Sequence, residues 1–128
     1  MSWSTSDGGI QVRRGVALPG AGDRHDWGSL SLFADAELMN LETMTLGRVQ
    51  ILAGRSNPLH THPNCTEVLI LLVGRIEHIV GNDAVVLEPG DVLAVPAGVS
   101  HRAAVLGDVD ADMIVAYTSG RREYQAIL

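Results

Sequence analysis

The chain of 128 residues contains no lysine, and its nine basic residues are all arginine. That absence excludes lysine Schiff-base chemistry, and with it pyridoxal-phosphate enzymes and aldolases of that type. A single cysteine, Cys65, leaves no internal disulfide to form. Aromatics are scarce, with one Phe, two Trp and two Tyr, although 46% of residues are hydrophobic. The core must therefore be aliphatic, and Val, Ile and Leu suit strands. The arginines are scattered with no basic stripe, and the formal net charge is −6, which disfavours nucleic-acid binding. No apolar run approaches membrane-spanning length, and the opening MSWSTSDGG is polar with no apolar signal core. The expectation is a cytoplasmic protein without a membrane partner. The formal glycosylation sequon Asn64-Cys65-Thr66 is set aside for that reason. The length fits one domain over residues 1–128.

Turn signals recur roughly every 8–12 residues, the spacing of an all-β sandwich or barrel. Residues 1–8 read as a frayed end, and Gly9 to Arg14 as a short edge strand. Ala17 to Ser31 is rich in Gly and Asp without a period and reads as a long loop, a lid or a packing segment, with Trp27 as a packing anchor. His25 within it reads as an exposed polar residue. Glu37 to Leu46 alternates loosely, with a helical turn near residues 34–39, and Arg48 to Ala53 alternates cleanly. Strands are expected over Thr66–Val73, Arg75–Val80, Ala84–Leu87, Val92–Val95, His101–Leu106 and Met113–Tyr117, with a tight hairpin at Gly81-Asn82-Asp83. The run Val68–Val73 is apolar on both faces, whereas a strand with one wet face should alternate. A partner subunit is the natural cover, so a homodimer is expected.

One stretch concentrates the chemistry. His60 and His62 stand one residue apart, and on an extended chain both imidazoles project to one face, about 6.5–7 Å apart. Glu67 follows after Pro63, Asn64 and Cys65, which give the chain room to turn a carboxylate back to the same point. Three imidazoles, counting His101 after the Pro96–Gly98 turn, and one carboxylate make a donor set suited to Zn, Fe, Mn, Ni or Cu.

The first stretch reads G-x5-H-x-H-x4-E-x6-G at Gly54, His60, His62, Glu67 and Gly74, and the second G-x5-P-x-G-x2-H at Gly90, Pro96, Gly98 and His101. Motif 1 over residues 54–74 and motif 2 over 90–105 closely resemble the paired motifs of the cupin superfamily. The resemblance implies a single jelly-roll β-barrel that holds one divalent transition metal through His60, His62, Glu67 and His101. The chain departs from the family at Val105, where an asparagine is usual, but that position is not a ligand.

Around this set, Cys65 shares the parity of Glu67 and reads as loop packing. Gln50 and Tyr117 face either the pocket, as substrate-binding residues, or the opposite side of their strands. An ion with four protein ligands keeps open positions for water, O₂ or a chelating substrate, and Glu67 is a candidate base. The resemblance leaves two functions open. One is a metal-dependent enzyme acting on a small oxygenated molecule, as a dioxygenase or as a non-redox isomerase, lyase or cyclase. The other is a non-catalytic module that binds a small ligand or senses metal. No room remains for a DNA-binding domain, which favours the enzyme.

Overall fold

The computed structural model describes residues 9–128 and the backbone of Ser4–Thr5. The frayed end expected over residues 1–8 otherwise lies outside the described residues. Strands β1 (Ser4–Thr5), β2 (Gln11–Val12), β3 (Asp23–His25) and β4 (Gly28–Ala34) lead to helix α1 (Ala36–Met39) and β5 (Thr45–Ile51). Next come β6 (His60–Thr61), β7 (Glu67–Val73), β8 (Ile76–Val80), β9 (Asp83–Leu87) and β10 (Val92–Val95). Strands β11 (His101–Val105), β12 (Ala111–Tyr117) and β13 (Gln125–Ala126) complete the described chain.

Two antiparallel sheets pack face to face as the expected jelly roll. One has the order β10-β7-β12-β5-β4-β3 and the other β13-β6-β11-β8-β9, while β1 and β2 pair apart from both. Alternation decides which side chains go inside. Val49 and Ile51 of β5, Leu69 and Leu71 of β7, and Met113 and Val115 of β12 face Ile76, Leu87, Ala103 and Val105 of the other sheet. Aliphatic cross-packing between inner faces is what holds a sandwich of this kind together.

Some expectations need correction. The long loop expected over Ala17–Ser31 contains β3 and the start of β4, paired from Asp23↔Leu30 to His25↔Gly28. Its Gly and Asp content marks the turn around Asp26–Trp27 and hides the alternation Ser29-Leu30-Ser31-Leu32. Its beginning does not cross the mouth: Ala17 accepts from Arg48, Gly20 donates to Gln50 and Val16 accepts from Ser31, all on the outer side of β4 and β5, while Trp27 farther along lines the cavity. The alternation over residues 37–46 does not make a strand throughout. Asp35 caps α1 by accepting from the N–H groups of Glu37 and Leu38, Asn40 ends it at φ 55, and the strand begins only at Thr45.

The outer face of β7 and β10 is apolar and open in the single chain, with Ile70 40%, Leu72 44% and Val92 61% exposed. Inward, Gly74 turns β7 into β8 at φ 88, where a Cβ would stand 2.8 Å from the Asp110 carbonyl oxygen and 2.9 Å from Ala111 Cα. Gly54 has a similar φ of 77 with open space around it. Gly74→Ala is therefore expected to cost about 2–3 kcal/mol, against about 1 kcal/mol for Gly54→Ala, where only the left-handed backbone is strained. Urea unfolding of the two variants reads the difference, and equal losses would show that the Asp110 contact does not matter.

Candidate metal centre

The four motif residues converge because each sits at a strand end on one side of the sandwich. His60 opens β6 directly opposite His101, which opens β11. His62 follows β6, and the turn over residues 63–66 returns the chain to Glu67, the first residue of β7. That turn is pinned by Asn64, which donates to the Arg121 carbonyl and accepts from the Glu123 N–H. Glu67 in turn stands opposite Tyr117 at the end of β12. All four side chains are buried, and their ligand atoms lie within 4.8 Å of one another.

Backbone carbonyls decide which ring nitrogen of each histidine is free. Nδ1 of His60 contacts the Pro58 carbonyl at 2.6 Å, Nδ1 of His62 that of Glu123 at 2.9 Å, and Nδ1 of His101 that of Val99 at 3.0 Å. A carbonyl only accepts, so each Nδ1 carries the proton; at His62 the carbonyl at 2.9 Å prevails over Arg122 Nη1, which can only donate and stands farther off at 3.4 Å. In the neutral ring, Nε2 is then a bare lone pair. Nε2 of His62 and of His101 both lie 3.1 Å from the same carboxylate oxygen, Oε1 of Glu67. His62 Nε2 is buried there without a hydrogen-bond partner among the described residues. Lone pairs facing a carboxylate at that distance repel unless a cation lies between them. A proton on His101 answers part of the demand, and a divalent transition ion answers all of it. The donor set of three imidazoles and one carboxylate fits such an ion.

The charges shift in the sense this arrangement requires. Burial penalises the Glu67 carboxylate, but the neighbouring imidazoles, above all the His101 hydrogen bond that a proton on Nε2 supplies, outweigh it and hold the carboxyl well below its usual range. Burial pushes His60 down to about 4. It pulls His101 down as well, yet the Glu67 hydrogen bond and charge leave that imidazole raised. Burial, reinforced by the charge of Glu67, holds Tyr117 well above the usual phenol range, so it remains a protonated phenol.

The cavity around the site is lined by Trp27 and Tyr117 as well as by the four ligands. Tyr117, one of the two candidate substrate-binding residues, packs edge-on to His62 with ring centroids 4.9 Å apart. The other, Gln50, does not reach the cavity. It lies on the outer side of β5 and accepts from the Gly20 N–H at 3.1 Å, because its neighbours Val49 and Ile51 take the inward positions. Cys65 is buried in the aliphatic core outside the ligand cluster, and burial raises its thiol, so it stays a packing residue. His25 is exposed and stacks on Trp27 with ring centroids 4.9 Å apart.

Three cavity residues escape the sequence reading. Tyr124 stacks on His60 at 4.9 Å, and the Arg122 guanidinium lies 5.0 Å from the Tyr117 ring centre and 5.8 Å from that of Tyr124. Both belong to the C-terminal segment that pairs through β13 with β6. No local pattern marks a segment after the last long strand as a cavity wall. The third, His78, is buried on β8 and pushed down to about 4, with burial as the main cause. Its inward parity with Ile76 is the signal that could have found it.

Acidification should act on this site with a defined sign. His60 and His78 stay neutral in the fold down to about 4, whereas the unfolded chain protonates them at about 6.5. Their contribution is complete above the unfolded value and is lost as pH falls through about 4. The raised His101 works oppositely, its contribution being complete at low pH and lost as pH rises through its folded value. Two histidines against one make the Tm of the metal-free protein fall as pH drops from about 7 to about 4, and protons competing for Nε2 release bound ion over the same range. A Tm that is flat or rising across that range, read by calorimetry, would contradict these environments.

Comparison with known proteins agrees with the geometry. Residues 47–117 match the family model described as a cupin domain. The chain is 34% identical over 116 residues to germin-like protein subfamily 2 member 1 of Arabidopsis thaliana, covering 83% of this chain and 52% of that one. It is 34% identical over 86 residues to germin-like protein 3-8 of Oryza sativa subsp. japonica, covering 63% of this chain and 38% of that one. The chain thus spans about half or less of the length of these curated relatives. In fold it is similar to oxalate oxidase, with a TM-score of 0.76 at 20% identity over 87% of this chain and 61% of that one. It is likewise similar to Bacillus subtilis oxalate decarboxylase, with a TM-score of 0.77 at 20% identity over 83% of this chain and 29% of that one. On the family match, the two motifs and the shared fold, the chain belongs to the cupin family.

Proposed function

We propose that this chain is a metal-dependent enzyme that acts on a small, oxygenated, anionic molecule. The observation that carries the reading is the set of three buried imidazoles and one buried carboxylate whose ligand atoms lie within 4.8 Å of one another in the wall of a cavity. A divalent ion there supplies Lewis-acid polarisation of a chelated oxygen and, where it is redox-active, dioxygen chemistry. Manganese is the first ion to test, because Mn(II) is named for the centres of the oxalate decarboxylase of similar fold.

The chain's own residues set charge and access. Glu67 cancels one of the two charges of the ion and Arg122 restores it, so the cavity stays positive and favours an anion. Arg122 has no carboxylate partner among the described residues, which leaves its guanidinium free to pair with one brought by the ligand. Tyr117 keeps its proton as a donor, and Tyr124 narrows the mouth over His60. Held ionised by its two imidazoles, Glu67 is suited to be a ligand and is a weak proton acceptor. Oxalate, glycolate and formate are named for the structural neighbours, and they support a small carboxylate as the substrate class here.

Elemental analysis should find one ion per chain in the wild type and almost none in the His60→Ala, His62→Ala double variant. His101→Ala should retain part of the ion yet lose at least about a hundredfold in turnover, since removing a ligand changes the charge and the open positions. Oxygen uptake with a redox-active ion points to an oxidase or dioxygenase, and turnover without uptake to a lyase or isomerase. An active preparation that keeps its rate after chelation to metal-free protein overturns the enzyme reading. A carboxylate that binds tightly and is recovered unchanged with every metal supports the non-catalytic binding module.

We also propose that two copies pair through the outer face of β10, β7 and β12, where Ile70 is in register with both Val92 and Ile114. Sedimentation should show a dimer at micromolar concentration, and Ile70→Glu with Leu72→Glu should give a monomer that keeps its ion. A wild-type monomer would refute the pairing.

A further inference from the structure

His78 is the one buried histidine outside the ligand cluster, and it is 2% exposed. Neither of its ring nitrogens has a hydrogen-bond partner among the described residues. It lines the same cavity as the four ligands, with its ring centre 5.7 Å from that of His101. Register fixes its depth. On β11 and β8 the inward pairs run His101↔Val80, Ala103↔His78 and Val105↔Ile76. His78 therefore stands one layer inside the ligand layer, and behind it Ile76, Val105 and Leu87 close the sandwich as packed aliphatic core.

An imidazole in that layer is unfavourable for folding. A leucine would fill the place without leaving two buried polar atoms unmatched, and natural proteins keep few such groups. Residues that lower stability in this way are concentrated where function needs them. A neutral imidazole offers one donor and one acceptor, and the ring that carries them is part of the cavity wall. The aliphatic layer behind disfavours a charged group at this depth, whereas a hydroxyl or carbonyl can be matched by one hydrogen bond.

We propose that His78 forms an inner subsite that hydrogen-bonds an uncharged hydroxyl or carbonyl oxygen of a small ligand whose anionic end chelates the ion in the layer above. The inference rests on the metal-dependent reading of the site and adds the far end of the substrate to it. The ligand class is then a short carboxylate with a second, neutral oxygen about three bonds beyond the carbon of its chelating keto or hydroxyl group. A plain monocarboxylate fills only the outer half of the site.

The test compares two isosteric chelators, 4-hydroxy-2-oxobutanoate and 2-oxopentanoate, which differ by a hydroxyl in place of a terminal methyl. Binding is read by calorimetry on zinc-loaded protein, which turns neither over by redox chemistry. Wild type should prefer the hydroxylated member by about tenfold, because a buried polar subsite discriminates against a partner that leaves it unmatched. His78→Leu should abolish that preference and keep the metal stoichiometry, while the Tm of the metal-free variant rises. His78→Gln, which retains a donor and an acceptor, should restore part of the preference. A purely structural histidine would give a lower Tm for His78→Leu and no loss of preference. The proposal is overturned if wild type shows no preference, if His78→Leu keeps it, or if neither compound binds the metal-loaded protein. Each of these leaves the metal reading intact. Failure of the wild type to take up an ion overturns that reading instead, and a fall in the metal-free Tm of His78→Leu counts against the subsite in either case.

Discussion

The candidate site depends on three backbone carbonyls. Pro58, Glu123 and Val99 each accept from the Nδ1 of one histidine, and so fix which face of each ring is bare. Without them the imidazoles could turn over or change tautomer, and the ring nitrogen nearest Glu67 could carry a proton of its own. With them, the neutral rings present lone pairs to an ionised carboxylate in a buried place. That arrangement is unfavourable alone and becomes favourable around a cation. Part of the energy of folding is thereby held in reserve for ion binding, which is why metal uptake and proton release should be coupled.

Two of the three carbonyls lie close to their histidines in sequence, at Pro58 and Val99, so the turns that introduce β6 and β11 orient these rings. The third belongs to Glu123, far along the chain, on the segment that also carries Arg122 and Tyr124 to the cavity. Asn64 binds that segment from both sides, through the Arg121 carbonyl and the Glu123 N–H. The C-terminal segment thus closes the cavity, sets the tautomer of His62 and supplies the guanidinium of Arg122. Its placement couples the shape of the mouth to the orientation of a ligand.

The ligand set was legible in the sequence because strand geometry makes it local. His60 and His62 share a face by parity, and the Gly54, Gly74 and Pro96–Gly98 turns confine the registers that bring Glu67 and His101 back to them. Strand order was legible only as a class, since pairings such as Thr45–Ile51 with Ala111–Tyr117 join distant segments. Gln50 was left between two faces because its parity fits either until the neighbouring strand is known. β3 and β4 were hidden by Gly and Asp, which mark turns more strongly than serine and leucine mark a strand. Arg122, Tyr124 and Glu123 carry no pattern at all, because what places them is pairing of β13 with β6 and the grip of Asn64. His78 was legible in part, as an inward histidine, but its lack of partners is a tertiary fact.

The central claim, that the fold fixes bare Nε2 positions around Glu67, is tested most directly by long-range ¹H–¹⁵N correlation spectra of the histidine rings in metal-free protein near neutral pH. The account predicts His60 and His62 as Nδ1-protonated tautomers and His101 as more protonated than His60. One equivalent of zinc should then shift all three Nε2 resonances and remove the Nε2 proton of His101. Nε2-protonated tautomers at His60 and His62, or Nε2 resonances untouched by the ion, would contradict it.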